Sequence, residues 1–114
     1  MALTKAMLDK LRSRDKLCWH CGENDDLVPH HRRNRGMGGS KQLDRLDNLM
    51  MVCAIYNGMM ESDSVTARNA RDLGHKLNSW QEFSEPVFDT PNRTWYLLTL
   101  KGEKLETEPP QHLI

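Results

Sequence analysis

The segment HHRRNRGMGGSKQLDRLDNLMMVCAIYN, residues 30–57, organises the rest of the chain. A short apolar run at residues 27–29 leads into it, and a second apolar run of strand length occupies residues 49–52. Two such runs, separated by a glycine-rich loop at residues 34–41, predict an antiparallel hairpin. Apolar residues at near-helical spacing then predict a helix over residues 57–73, which the following glycine would end. Hairpin, loop and helix together form a ββα unit.

The flanking segments add a helix before this unit and a hairpin after it. Residues 4–14 carry apolar side chains on one face and begin with a threonine suited to cap the helix. Residues 86–100 contain two strand-like runs around an Asp-Thr-Pro-Asn turn, which predicts a C-terminal β-hairpin. The sequence therefore predicts one α+β domain over residues 1–102 with its core at 17–74, followed by a loose tail at 103–114.

The charge distribution points to a phosphate-binding segment. The 114-residue chain has a formal net charge of zero, so its overall charge does not indicate a nucleic-acid partner. Residues 30–46, however, hold five cations and one anion. An ordinary solvated loop is the alternative, but beside two adjacent histidines we expect DNA binding, since guanidinium groups match phosphate oxygens. The candidate DNA-binding residues are Arg32, Arg33, Arg35, Lys41 and Arg45.

The cysteine count and the apolar pattern bear on where the protein works. Three cysteines are an odd number, which argues against a disulfide framework. The first ten residues lack the apolar region of a secretory signal, and no apolar run approaches membrane-spanning length. No Gly-Lys-Ser/Thr phosphate loop is present, so no nucleotide cofactor is expected. We expect a cytoplasmic protein without a membrane partner.

The doubled histidine is the strongest chemical signal in the sequence. Neighbouring side chains on a strand alternate, so His30 and His31 would present their imidazoles in different directions. One ring can then bind a metal ion while the other faces a phosphate, and a neutral imidazole is suited to act as a base near pH 7. A lone histidine is more often simply buried, but the following Arg-Arg pair and glycine-rich loop favour a site.

Three cysteines at knuckle spacing, Cys18, Cys21 and Cys53, are candidate ligands of a structural zinc ion. Such sites have four protein ligands, and the expected fourth position holds Tyr56, which is a poor zinc ligand. His20 lies between the first two cysteines and is not expected to turn onto the same ion. Two alternatives stay open: a knuckle without zinc that is held by aromatic packing, and a redox Cys-x-x-Cys motif. The chain lacks the thioredoxin-like βαβ context that the redox motif needs.

The central segment resembles the HNH nuclease family, and within it the small phage-encoded HNH proteins. The matching runs cover about half of the chain, and the first of them is long and specific. Two positions depart from the family pattern: Tyr56 stands where a second cysteine is expected, and Asn57 stands where the last histidine is expected. The runs are HHRRNRGMGGS at residues 30–40, Asn48-Leu49, Val52-Cys53, and Tyr56-Asn57-Gly58 with Glu61-Ser62.

The resemblance implies a small ββα-metal (HNH) domain, here with the added N-terminal helix and C-terminal hairpin, and a metal-dependent DNA endonuclease. It implies that His30 binds the catalytic ion, that His31 is the general base, and that Asn48 holds the loop and helps to orient His31. It also makes Asn57 the second metal ligand, as in the HNH domain of the RNA-guided CRISPR nuclease, which has asparagine at this place. A side-chain oxygen favours Mg²⁺ or Mn²⁺ over Zn²⁺.

Each role has an alternative that the sequence leaves open. Asn48 is also suited to an ordinary turn, and Asn57 to a helix cap. The two departures motivate a catalytically weak DNA-binding accessory protein of the same fold. A protein-interaction module that regulates a host factor is a third hypothesis. The family comparison further implies cleavage to 5′-phosphate and 3′-hydroxyl ends, and a role in phage genome packaging beside a terminase subunit.

Overall fold

The computed structural model describes residues 3–33 and 41–111, and of Lys41 only the backbone. In this part of the chain three α-helices and two β-sheets form one α+β structure, which confirms the predicted fold class at that level. None of these helices is long and apolar enough to cross a membrane. The helices and strands in chain order are α1 (Lys5–Arg14), β1 (Leu27–His31), a 3₁₀ turn (Lys41–Leu43), β2 (Leu49–Cys53), α2 (Ala54–Ser62), α3 (Ser64–Asp72), β3 (Val87–Asp89), β4 (Thr94–Leu98) and β5 (Lys104–Glu106).

Helix α1 covers the core beside β2, as its apolar face predicts. Thr4 caps the helix, because its side-chain oxygen accepts a hydrogen bond from the amide three residues further on at 3.2 Å. Leu11 is fully buried against β2. At the other end of the helix, the Arg14 guanidinium donates to the carbonyl oxygens of Leu46 and Leu49 at 2.9 and 2.6 Å. These hydrogen bonds hold the C-terminal end of α1 against the start of β2.

Strands β1 and β2 pair antiparallel over their full length, in a register that places His31 opposite Leu49. This is the hairpin that the two apolar runs predict. Residues 49–52 are at most 1% exposed, because both faces of β2 are covered. Alternate side chains pack with α1 on one face and with α2 and α3 on the other. The hairpin is therefore the centre of the molecule, and it carries His30 and His31 at one end.

The predicted single helix over residues 57–73 is in fact two helices. α2 begins directly after Cys53, whose thiol accepts from the amide three residues further on at 3.4 Å. At Asp63 the backbone is extended, and the Asp63 carboxylate accepts from the Thr66 amide at 2.9 Å. The same residue therefore ends α2 and caps α3. The buried positions of the two helices stay nearly in phase across this break, which is why the pattern resembles one helix.

Gly74 follows α3 and turns the chain toward the C-terminal sheet. Its φ is +75°, and a Cβ atom at this position would lie 2.1 Å from the carbonyl oxygen of Pro86. The Phe88 amide also donates to the Leu73 carbonyl oxygen at 2.8 Å, so the end of α3 and the start of the second sheet are in direct contact. The predicted stop at this glycine is confirmed, and the close approach of two backbones explains it.

The C-terminal hairpin is present, with β3 and β4 antiparallel and Val87 opposite Tyr96. A third strand, β5, pairs with the other edge of β4. The prediction of a loose tail at residues 103–114 is therefore wrong for the three residues of β5. The strand is too short for its apolar alternation to be recognised, and pairing with β4 orders it.

Candidate functional site

The two histidines at the end of β1 contact different parts of the molecule, as strand alternation predicts. His30 is 4% exposed, and its Nε2 atom lies 2.7 Å from the carbonyl oxygen of His75. A carbonyl oxygen only accepts, so Nε2 carries the proton and Nδ1 keeps a lone pair. Burial lowers the pKa of His30 to about 4, so the ring is neutral at pH 7. A neutral imidazole with one nitrogen held by a carbonyl is the form that binds metal ions.

His31 is half-buried and forms a pair with Asp44. Its Nε2 atom lies 2.7 Å from Asp44 Oδ1, and the Asp44 side chain is only 7% exposed. Because the carboxylate accepts, Nε2–H donates and Nδ1 is left to accept a proton. The sequence presents Asp44 only as the single anion of a basic stretch. Its partnership with His31 follows from the loop geometry, which no local pattern in the sequence signals.

Asn48 is fully buried and joins two backbone segments. Its Oδ1 atom accepts from the Arg33 amide at 2.8 Å, and its Nδ2 atom donates to the carbonyl oxygens of Arg33 and Leu43 at 3.2 and 2.9 Å. These acceptors and donors lie outside its own turn, unlike those of an ordinary turn asparagine. The amide therefore ties the backbone that follows His31 to the segment that carries Asp44.

Asn57 lies one turn inside α2, because Cys53 occupies the cap position. The alternative that Asn57 caps the helix is therefore wrong. Its side chain is half-buried. The side-chain amide group makes no hydrogen bond to any residue in the described ranges 3–33 and 41–111. The amide oxygen is thus available to an external partner.

Glu61 stands one helical turn after Asn57, so the two side chains share a face of α2. Its carboxylate lies 3.6 Å from Lys76 Nζ. Both charges affect the pKa of His30, after burial, which lowers it, and the hydrogen bond to the His75 carbonyl oxygen, which raises it. Lys76 lowers this pKa further and Glu61 raises it. The structure thus places an acidic side chain near His30, and the sequence offers no signal for it beyond the family pattern.

Arg32 is fully buried, so its predicted role as a phosphate clamp is wrong. Strand alternation places it on the same inward side as His30. Burial lowers the pKa of Arg32 to about 9, and the Asp47 and Glu85 carboxylates oppose this shift, so the guanidinium stays charged at pH 7. The side chain is a structural tie between the end of β1 and the segment after α3. Its acceptors are the carbonyl oxygens of Gly74 (2.8 Å), Asp47 (3.0 Å), Phe83 (3.1 Å) and Glu85 (2.7 Å).

Arg33 and Arg45 form a second cationic feature near the end of β1. Their guanidinium carbons lie over the Phe83 ring, at 4.5 and 4.2 Å from its centre. Arg45 also pairs with a carboxylate at 2.8 Å. Both side chains remain partly exposed, so they stay candidates for phosphate contacts. The predicted contacts Arg35 and the Lys41 side chain lie outside the described residues.

Three cysteine thiols lie close enough together to hold a metal ion. Among the residues described, no other group of three or more histidine, cysteine or acidic side chains does so. The Sγ atoms of Cys18, Cys21 and Cys53 lie within 4.8 Å of one another, and those of Cys21 and Cys53 are 3.7 Å apart. Burial raises the pKa of Cys18, but hydrogen bonds from nearby backbone amides outweigh it and the net shift is downward. Partial burial and, after it, the neighbouring thiols raise the pKa of Cys21 to about 11. A bound cation would favour the thiolate forms of these cysteines.

Tyr56 and His20 do not complete the cluster. The Tyr56 hydroxyl lies 2.7 Å from His75 Nδ1, and its ring stacks on His20 at 3.9 Å with 7° between the planes. The Nε2 atom of His75 donates to the Phe88 carbonyl oxygen at 2.7 Å, so its Nδ1 accepts from the tyrosine hydroxyl. His75 is not among the predicted site residues, yet its ring holds Tyr56 and its carbonyl oxygen holds His30.

No protein-family model, no curated protein and no solved structure matches this chain. The roles of the residues therefore depend on their geometry. The structure brings His31, Asp44 and Asn48 together at the ends of the basic loop, and it places His30 on the side of β1 where Glu61 acts on it. The three cysteines form a separate cluster at the start of α2.

Proposed function

We propose that this chain is a metal-dependent endonuclease of the HNH type that hydrolyses DNA phosphodiester bonds. The observation that carries the proposal is the His30–His31 pair, in which each ring has one nitrogen tied to an oxygen and the other carrying a lone pair. One ring is buried within the influence of an acidic residue, and the other is half-exposed beside a carboxylate. These surroundings suit two different tasks, binding a metal ion and accepting a proton.

His31 is the general base of the proposed reaction. Its Nδ1 atom takes a proton from the attacking water, while the Asp44 carboxylate orients the ring and stabilises the imidazolium that forms. Asn48 keeps the base in position, because its amide fixes the backbone of Arg33 just beyond His31. This is the orienting task that the family resemblance implies for the central asparagine.

His30, Asn57 and Glu61 are the candidate ligands of a divalent cation. His30 offers Nδ1, Asn57 offers an amide oxygen, and Glu61 offers a carboxylate. A donor set with more oxygen than nitrogen favours Mg²⁺ or Mn²⁺. When bound, such an ion supplies positive charge that stabilises the phosphate and the departing 3′ oxygen.

The three-cysteine cluster is proposed to hold Zn²⁺ with a structural role. Soft thiolate ligands favour zinc over magnesium, and a tetrahedral ion with Zn–S bonds of about 2.3 Å separates its sulfur atoms by about 3.8 Å. The 3.7 Å between the sulfur atoms of Cys21 and Cys53 matches this spacing. Because Cys53 caps α2, such an ion fastens the N-terminal knuckle to the helix that carries Asn57.

The DNA backbone is proposed to cross the end of β1, where cations surround the histidine base. Arg33 and Arg45 remain partly exposed there, and Arg35 and Lys41 belong to the loop that joins them. Each phosphate contact should contribute to a salt-dependent affinity. The resemblance to phage proteins extends the proposal to genome packaging beside a terminase subunit in the cytoplasm of the host cell.

Plasmid nicking tests the proposed chemistry. Purified protein is incubated with supercoiled plasmid and Mg²⁺, Mn²⁺ or EDTA, and we expect nicking that either ion supports and EDTA abolishes. His31→Ala should lower the rate by about 10² to 10⁴ while fold and DNA binding are retained, because the general base is lost. Asn24→Ala, which changes an exposed side chain outside the site, is the control. A His31→Ala protein that cleaves at the wild-type rate would show that the proposed chemistry is wrong.

The proposed metal ligands should respond differently from the base. His30→Ala, Asn57→Ala and Glu61→Gln should each raise the Mg²⁺ concentration that gives half the maximal rate, and excess Mg²⁺ should partly restore cleavage. Asn57→His should shift the preference toward Ni²⁺ or Zn²⁺, which imidazole suits better. Asn69→Ala changes an exposed asparagine on α3 and serves as the control. Unchanged Mg²⁺ dependence in Asn57→Ala would remove this residue from the site.

A catalytically weak DNA-binding protein of the same fold is the second candidate. The observation that favours it is the loss of one expected phosphate contact, since Arg32 is buried, together with the asparagine at position 57. DNA binding without nicking in either metal would support this candidate. Absence of DNA binding at low salt would instead favour a protein-interaction module.

A further inference from the structure

The three-cysteine cluster is open on one side. Within the described part of the chain, no further histidine, cysteine or acidic side chain joins the three sulfur atoms. Tyr56, which occupies the fourth position of the knuckle pattern, turns its hydroxyl to His75 at 2.7 Å. His20 lies flat against the Tyr56 ring. A zinc ion with three protein ligands keeps a coordination position for an external ligand, whereas a closed structural site has four.

A cavity of about 460 Å³ adjoins the cluster on the side of Cys21 and Cys53. Its apolar part comes from α2, where the Ile55 and Met59 side chains are 76% and 44% exposed. Its other wall is acidic and includes Glu23. A ligand that reaches the open position would therefore meet apolar surface and negative charge together.

Charge decides which donor suits the open position. Three thiolates around a divalent ion leave a formal charge of −1, and the acidic wall adds to it. A fourth thiolate or another anion would increase this negative charge, whereas a neutral imidazole adds none and binds zinc well. The exposed apolar side chains and the acidic wall then favour an imidazole that is carried by a polypeptide with apolar and basic neighbours.

We propose that Cys18, Cys21 and Cys53 form an open zinc site whose fourth ligand is a histidine side chain of a partner polypeptide. The partner segment carries apolar side chains that contact Ile55 and Met59, and basic side chains that face the acidic wall. The ion thereby joins two polypeptides instead of closing one knuckle. The inference rests on the proposed zinc occupancy and is independent of endonuclease activity.

Cobalt spectroscopy tests this inference, because the visible absorption of Co²⁺ in a thiolate site reports the number and type of its ligands. The full chain is loaded with one equivalent of Co²⁺ and titrated with imidazole or with a short peptide in which leucine and lysine residues flank one histidine. A peptide with alanine in place of the histidine is the control. We expect imidazole and the histidine peptide to change the spectrum, the peptide at a concentration lower by about tenfold or more, and no change with the control.

Substitutions in the cavity distinguish coordination of the metal ion by imidazole from binding of the peptide to the cavity walls. Ile55→Ser, or Glu23→Gln combined with Asp25→Asn, should weaken the response to the histidine peptide by about two- to fivefold and leave the response to imidazole unchanged. Tyr56→Cys restores a Cys-x-x-Cys spacing with Cys53, so it should hold Co²⁺ more tightly and no longer respond to either ligand. If Tyr56→Cys does not fold, the wild-type titrations decide the question.

Three outcomes would overturn the inference. The first is a wild-type protein that binds no equivalent of Co²⁺ or Zn²⁺. The second is a cobalt spectrum that neither imidazole nor the histidine peptide changes. The third is a spectrum that already differs in His20→Ala before any ligand is added, because His20 would then be the fourth ligand. Nicking is measured on the same preparations, so that a failed endonuclease proposal is distinguished from a failed metal site.

Discussion

At the scale of single residues, the alternation of β1 decides which polar side chains are accessible from solvent. His30 and Arg32 face the interior, and the His31 side chain is 21% exposed. The Arg-Arg pair that predicts a phosphate clamp therefore divides into a buried tie and a partly exposed cation. Sequence could not predict this division, because three of the acceptors of Arg32 lie at least 42 residues further along the chain.

Arg32→Leu should unfold or strongly destabilise the domain. It removes a buried guanidinium and leaves buried carbonyl oxygens without donors, a cost of about 3 kcal/mol or more. Arg12→Leu makes the same change at an exposed position of α1 and should shift the free energy of unfolding by less than about 0.5 kcal/mol. Urea unfolding of both variants measures the difference. An Arg32→Leu protein with wild-type stability and weakened DNA binding would restore the phosphate-clamp assignment.

Asp44→Asn should slow the proposed cleavage without removing the proposed base, His31. The carboxylate that holds His31 Nε2–H is replaced by an amide, so the imidazolium is no longer stabilised by a negative charge. We expect a rate about tenfold to a hundredfold lower, with DNA affinity unchanged. Asp25→Asn, at an exposed position, is the control. Equal nicking rates for the two variants would mean that the His31–Asp44 pair has no part in catalysis.

At the scale of elements, the strength of the local pattern determines what the sequence can predict. Two apolar runs around a glycine-rich loop correctly predict the β1–β2 hairpin, and an amphipathic face with a threonine cap correctly predicts α1. The break between α2 and α3 was predictable in part, because Asp63 is a residue type that is favoured at the N-cap and lies within an otherwise helical pattern. Strand β5 was not predictable, since it has only three residues and its order depends on pairing with β4.

Two glycines of neighbouring elements should respond in opposite ways to alanine. Gly74→Ala places a Cβ at φ +75° and 2.1 Å from the Pro86 carbonyl oxygen, so the backbones must separate and we expect a loss of about 2 kcal/mol or more. Gly58→Ala adds a Cβ to α2 with no atom within 4 Å and should stabilise the protein by about 0.5 to 1 kcal/mol. Thermal or urea unfolding gives both values. Similar effects of the two substitutions would contradict the close approach at Gly74.

At the scale of the whole molecule, two buried histidines link folding to pH. Burial is the main cause that lowers the pKa of His30 to about 4 and that of His75 to about 3, whereas an unfolded chain titrates its histidines at about 6.5. The unfolded state therefore binds protons first as the pH falls. The contribution of these histidines to the free energy of unfolding is fully present above about pH 6.5 and is lost progressively below it. We expect a slope of up to about 1.4 kcal/mol per pH unit for each histidine.

Urea unfolding over a series from about pH 7.5 to about pH 5 measures this slope, in a range where few carboxylates titrate. EDTA is included because metal binding is itself pH-dependent. His75→Asn should reduce the slope by the contribution of one histidine. A free energy of unfolding that stays constant across this range would contradict neutral, buried histidines at both positions.

The candidate site was predictable only where its residues are adjacent in sequence or follow a recognised spacing. The His-His pair and the three cysteines belong to that group, and the structure places them as two separate features. Sequence patterns do not identify the contacts of three further residues, because each reaches its partner through the packing of loops or helices. These residues are Asp44, Glu61 and His75. Their identity follows from tertiary contacts, which a single sequence does not contain.

The hydrogen bonds of Arg32 affect which amino-acid substitutions this fold can tolerate during evolution. All of its acceptors are main-chain carbonyl oxygens, and every amino acid carries one, including proline. These hydrogen bonds require arginine at one end and a backbone carbonyl oxygen at the other, and the Asp47 and Glu85 carboxylates also favour the charged guanidinium. Among descendants of this chain, the arginine should stay invariant. The hydrogen bonds alone would tolerate other side chains at positions 47, 83 and 85, whereas Gly74 is required by its own conformation. A search for correlated substitutions would therefore miss these main-chain contacts, although they join the end of β1 to the segment after α3.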